Sequence, residues 1–165
     1  MLKDTTNIPF LDSDIAIEKT TGKKIPEIFA SQESEFRDLE EKTLQDISET
    51  HQKIILATGG IVMRANRDML RYFDHVIYLR TSPQSSYERT KDDVNRPLLQ
   101  TENPTQTLHN LLTIRESLYQ ATADAIVDTD GLSPQEVAKK ILEIISDSEN
   151  IKIPSDSLDN SKKTL

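Results

Sequence analysis

Phe10-Leu11-Asp12-Ser13-Asp14 is a short apolar run that ends in two carboxylates one residue apart. Alternate residues of a strand project to the same side. The stretch therefore reads as the end of a strand, Ile8–Asp12, with Asp12 and Asp14 aimed at one site. Three more runs have strand character: Lys53–Thr58, His75–Leu79 and Ala125–Asp128. Between and after them the spacing predicts helices near Ile15–Thr20, Pro26–Ser31, Glu33–Glu49, Asn66–Phe73, Pro83–Thr90, Thr105–Asp124 and Pro134–Ser146. Short strands alternating with helices favour an α/β layer fold with a parallel sheet. Ligands in such folds gather beyond the carboxyl ends of the strands, which is where the two aspartates stand.

Two helix starts are signalled by side chains. Ser82-Pro83 and Ser133-Pro134 each place an N-cap serine before a first-turn proline, and Glu136 completes a capping box with Ser133. Lys91–Asn103 lacks a period and carries Arg96-Pro97, so it reads as a long loop of the kind that is usually functional or disordered. From Asp147 to Leu165 the composition is polar and the expectation is a disordered tail.

The 165 residues are enough for one domain with a core. A net charge of −8 argues against nucleic acid as the main partner. No apolar run approaches the length that spans a bilayer, and the first residues lack the apolar core of a secretory signal, so a cytoplasmic chain is expected. With no cysteine there is no thiolate nucleophile and no Cys-based metal site.

Several residue types carry chemistry. Asp12 and Asp14 suit a Mg²⁺ ligand through water and an acceptor for a hydroxyl proton; the competing reading is that Asp12 or Ser13 caps the next helix. Arg115 falls in the middle of an apolar stripe through Leu108, Leu111, Leu112, Leu118 and Tyr119. A core-facing guanidinium requires an anionic partner or a wet cleft, and a substrate carboxylate matches its planar fork; an internal salt bridge is the alternative. Arg37 lies at the edge of the stripe Phe36, Leu39, Leu44 and Ile47, with Glu40 and Glu41 placed to orient it or simply to pair on a solvated surface. Thr58-Gly59-Gly60 follows a strand and allows close approach of a ligand, or only a tight turn. Arg89 and Arg96 bracket the long loop, where a closing lid needs cations to neutralise phosphate charge.

Taken in order, Asp-Ser-Asp-x-x-Ile-Glu (Asp12–Glu18), Thr-Gly-x-x-Ile-x-x-Ile-Phe (Thr21–Phe29), Phe-Arg-x-x-Glu (Phe36–Glu40), Ala-Thr-Gly-Gly (Ala57–Gly60), Arg-Pro-Leu-Leu (Arg96–Leu99) and Arg-x-x-x-Tyr (Arg115–Tyr119) closely resemble the shikimate kinase family. The resemblance covers about residues 8 to 145 and implies a three-layer P-loop kinase fold with sheet order 2-3-1-4-5, a domain over 1–146 and a lid around 91–103. It implies transfer of phosphate from ATP to shikimate with Mg²⁺, by a monomer with no membrane partner. By position, Asp12 matches the Mg²⁺ aspartate and Asp14 the one at the shikimate hydroxyls. Arg37, Gly59, Gly60 and Arg115 match shikimate-binding positions, Arg96 the lid arginine, and Arg89 and Pro134 the adenine side. Three departures stand out. No Gly-x-x-x-x-Gly-Lys-Ser/Thr occurs among the four glycines, and Met1 aligns within the family's first helix, so the central first strand and phosphate loop are expected to be missing. The glycine run stops at Gly60-Ile61, and Gln32 takes the place of a glycine before Glu33. A shikimate-binding protein without phosphoryl transfer is the alternative reading.

Overall fold

The computed structural model describes residues 2–50, 53–60, 66–93, 96 and 99–151. Its elements run α1 (Leu2–Thr6), β1 (Phe10–Asp12), α2 (Ser13–Thr21), α3 (Ile25–Ser31), α4 (Glu33–Glu49), β2 (Ile55–Ala57), α5 (Asn66–Leu70), β3 (Ile77–Arg80), α6 (Pro83–Thr90), α7 (Pro104–Thr122), β4 (Ala125–Asp128) and α8 (Pro134–Ile151). All strands pair in parallel, β1 with β2 and β3 with β4. Among the described residues these form two separate two-stranded sheets, β1-β2 and β3-β4.

Local chemistry accounts for the boundaries. Strand β1 is shorter than expected because Pro9 has no N–H to give a ladder; its carbonyl still accepts from Ile55 N at 2.8 Å. Helix α1 is not among the helices expected from spacing, although the family resemblance places Met1 within a helix. It is one short turn tied by Thr6 Oγ1 to Leu2 O at 2.7 Å and closed by Asn7 in a left-handed conformation. Ser82 Oγ accepts from Ser85 N, and Ser133 and Glu136 exchange the bonds of a capping box, as their spacing predicted. Helix α8 runs on to Ile151, past the point where a disordered tail was expected to begin; residues 152–165 lie outside the described residues.

Helix α4 organises the first half. Phe36, Glu40 and Leu44 recur every four residues, so they share one face, and all three are buried. Phe36 joins Ile17, Ile25 and Ile28 in one core cluster, with Phe29 and Leu39 packed against it. Leu44 joins Leu70 in a second, against which Leu56, Val76, Leu118 and Tyr119 pack. This second cluster draws on residues from both sheet-bearing halves.

Candidate active site

The site begins where β1 turns into α2. Asp12 Oδ1 accepts from Asp14 N at 2.9 Å and Ile15 N at 3.2 Å, so Asp12 is the N-cap of α2. This corrects the expectation that Asp12 and Asp14 leave one strand on one side. The cap bends the chain at once, and Asp14 sits in the first turn of a helix. Burial pushes the Asp14 carboxyl above the ordinary range, and the Asp12 charge adds to it; Arg96 and Arg37 pull the other way. Asp14 is thus within electrostatic reach of three of the residues singled out by sequence. Ser13, between the two aspartates, is buried with its Oγ unpartnered.

Arg37 is buried, not on a solvated surface. Its Nη1 donates to Glu40 at 2.8 Å and its Nη2 to Glu33 at 3.0 Å. Glu33, one turn before it, takes the place expected for Glu41. Arg37 also lies over the rings of Phe36 and Phe29, at 5.3 and 5.8 Å from their centroids, a cation–π arrangement. Burial works against the guanidinium charge, and the two carboxylates outweigh it. Glu40 is only 2% exposed. Burial raises its carboxyl despite Arg37, and the Asp14 and Arg115 charges both reach it. Glu40 is therefore the hub on which Asp14, Arg37 and Arg115 converge. Its i+3 spacing from Arg37 was visible in the sequence; its burial was not.

Gly59 has φ +56°, a left-handed turn that favours glycine. Gly60 serves a different need. A Cβ there would lie 2.8 Å from Arg115 Nη1 and 3.5 Å from Tyr119 Oη. Gly59 thus makes the tight turn, and at Gly60 the close approach is that of the Arg115 side chain. Arg115 Nε is buried without a hydrogen-bond partner, which is costly for a charged donor and marks it as anion-seeking. Arg96 is exposed and bonds Asp93 at 3.2 Å. The expected lid residues 94, 95, 97 and 98 lie outside the described residues.

Arg89 belongs to a second group. Its guanidinium donates to Thr129 O at 2.6 Å and Thr129 Oγ1 at 2.9 Å, fastening α6 to the turn after β4. Pro134 opens α8 just beyond that turn. Arg89 does not bracket the loop with Arg96 as expected, because both Thr129 bonds hold it to the β4 end. Among the described residues no group of three or more His, Cys, Asp or Glu could hold a metal ion, and no helix is long and apolar enough to cross a membrane.

These positions have counterparts elsewhere. The family model "Shikimate kinase" matches residues 1–146. The shikimate kinase of Thioalkalivibrio sulfidiphilus is 45% identical over 153 residues, which cover 91% of this chain and 80% of that protein. That of Thermodesulfovibrio yellowstonii is 44% identical over 135 residues, 81% of this chain and 78% of its own. Among solved structures, shikimate kinase from Acinetobacter baumannii in complex with shikimate aligns with a TM-score of 0.85 at 39% identity, over 90% of this chain and 84% of that one. A family match across most of the sequence, joined to this identity over most of each relative, means that the chain belongs to the shikimate kinase family.

Proposed function

We propose that this chain transfers the γ-phosphoryl group of ATP to the 3-hydroxyl of shikimate. The observation that carries the reading is Arg115: a guanidinium with a buried, unpartnered Nε, lying against Gly60 and within reach of the Glu40 charge. It is what a rigid receptor for a small carboxylate requires. Arg37 and Arg115 would take the carboxylate of shikimate, with Gly59 and Gly60 keeping the approach clear. Asp14 would face the 3-hydroxyl. As O3 bonds to the γ-phosphorus and the bond to the β–γ bridging oxygen breaks, the hydroxyl proton passes to the Asp14 carboxylate. A base works best when its pKa is near the operating pH, and burial moves Asp14 that way. Arg96, whose charge already acts on Asp14, would come over the phosphates, and Arg89 and Pro134 would flank the adenine.

The donor set at Asp12 and Asp14 suits Mg²⁺, which needs only one or two protein carboxylates beside phosphate oxygens and water; Asp12 is the residue assigned to it. Bound there, the ion would supply neutralisation of phosphate charge. The same reading takes the two parallel pairs as the flanks of a sheet in the family's order 2-3-1-4-5, the place between β2 and β3 being that of the family's first strand. Their lack of mutual hydrogen bonds among the described residues supports it.

A second reading rests on a sequence fact. Residues 1–165 contain no Gly-x-x-x-x-Gly-Lys-Ser/Thr, the loop whose backbone N–H groups cradle phosphates. Shikimate binding without phosphoryl transfer is the alternative it raises. Calorimetric titration of the 165-residue chain with shikimate and with Mg·ATP, beside a coupled assay for ADP, separates the two. Binding of both with shikimate-dependent ADP release supports the kinase. Shikimate binding alone supports the second reading, and no shikimate binding sinks both.

A further inference from the structure

Tyr119 stands one turn after Arg115 on α7, and both reach the same spot. Arg115 Nη1 and Tyr119 Oη lie 2.8 and 3.5 Å from where a Cβ on Gly60 would be. The Tyr119 ring is itself held. It stacks on Tyr78 of β3, centroids 4.9 Å apart and planes 23° from parallel, and it packs against the Leu44–Leu70 cluster. Tyr78 is fixed in turn, its hydroxyl donating to Glu116 Oε2 at 2.6 Å. Glu116 also accepts from Gln120 at 2.7 Å and lies 3.9 Å from Arg80. A long guanidinium side chain loses much rotamer freedom when fixed. A wall that restricts it beforehand lowers what a ligand must spend on ordering.

We infer that Tyr119, braced by Tyr78 and Glu116, is a positioning residue that holds the Arg115 guanidinium against the Gly60 backbone and so sets affinity for the substrate carboxylate. The inference rests on the proposed reading only for the identity of that carboxylate. Tyr119 does not touch the reacting atoms; it acts through Arg115. The ring carries the effect, through the stack and the packing.

Three readouts test this on the 165-residue chain. Tyr119→Leu keeps apolar bulk but loses the stack, and should raise the shikimate Kd about tenfold, the scale of a small misplacement. Tyr119→Phe keeps the ring and should restore wild-type affinity. Tyr78→Phe, which removes only the bond to Glu116, should give a smaller rise of about threefold. The second readout needs no ligand. Arg115 Nε–H is shielded from water, so its exchange, followed by ¹⁵N NMR, should be slow in the wild type and Tyr119→Phe and much faster in Tyr119→Leu. The third uses the absence of tryptophan and the presence of only four tyrosines. Shikimate should change tyrosine emission in the wild type, and this change should shrink in Tyr119→Phe although affinity is kept. Unchanged affinity and unchanged Arg115 exchange in folded Tyr119→Leu would overturn the inference. A wild-type chain that binds no shikimate overturns the functional reading instead, and the exchange measurement still decides the role of Tyr119.

Discussion

The half built on β1, β2 and α4 and the half built on β3 and β4 each contain an arginine–carboxylate pair, and the two pairs have opposite meanings. Arg37–Glu40 has side chains 8% and 3% exposed. Arg80–Asp128 joins register partners on β3 and β4 through bonds of 2.6 and 2.9 Å, yet its side chains are 40% and 67% exposed. Geometry alone ranks them as equals. Solvation does not, because a pair in water gains little and a buried pair is dangerous to break. The first half concentrates desolvated charge where a polar substrate would replace the lost water. The Arg80–Asp128 pair of the second half stands at strand ends, where water already satisfies both charges.

The largest expected effect tests whether the buried half performs the chemistry. Asp14→Asn should lower phosphoryl transfer by about 10²–10⁴, the usual contribution of a positioned base. A carboxyl raised by burial binds its proton more tightly folded than unfolded, so its contribution to stability falls as pH rises through the raised value. Asp14→Asn should therefore raise Tm at neutral pH while activity drops; a fall in both would show a structural role. In the wild type, the acid limb of kcat/KM should lie above the ordinary carboxylate range. Arg96→Ala should move it higher still, since Arg96 holds the Asp14 carboxyl down.

Next in size is the pair itself. Glu40→Ala leaves Arg37 with only the exposed Glu33 and should cost about 3 kcal/mol in urea unfolding, the low end for breaking a buried pair. Replacing both partners, Arg37→Met with Glu40→Leu, should recover most of that stability and still abolish shikimate binding. If the double variant bound shikimate, the distinction between the halves would collapse. Gly60→Ala should then separate binding from stability. The added Cβ crowds only the far end of the Arg115 side chain, with Tyr119 Oη at ordinary contact distance, so Tm should hardly move, while the shikimate Kd rises about tenfold.

Smaller effects sharpen the picture. Asp12→Ala removes a cap and should cost about 1 kcal/mol in thermal unfolding. Asp12→Asn keeps the capping oxygen, so stability should hold while dependence on Mg²⁺ concentration weakens. Last, Asp128→Ala should leave chemical denaturation unchanged within error, despite the short bonds that Asp128 makes.

Much of this was legible in the chain. Helix α4 agrees with its expected bounds because its apolar period is long and unbroken, β4 agrees with its expected bounds, and α6 and the start of α8 agree because capping serines and prolines mark them. The misses have local causes as well. Strand alternation does not reach Asp14, because the chain turns into α2 directly after Asp12 ends the strand. Glu33 pairs with Arg37 from one turn before it, whereas Glu40 and Glu41 follow the arginine. Helix α1 is too short for any period to reveal.

By itself the sequence determined the order of the main elements and their caps, because these depend on neighbours within a few positions. The ordered run from Asp12 to Tyr119 also pointed to the family. Only the tertiary structure decided which charges lose their water. Glu40 and Glu41 are adjacent glutamates on one helix; spacing puts Glu40 on the face of Phe36 and Leu44, but only packing of that face removes its water. Packing of α4 against α2 and α3 buries one, and Arg115 arrives beside it from a helix far along the chain. Burial is a sum over distant parts of the chain, so it sets the pKa of Asp14, the role of Gly60 and the difference between the two arginine pairs.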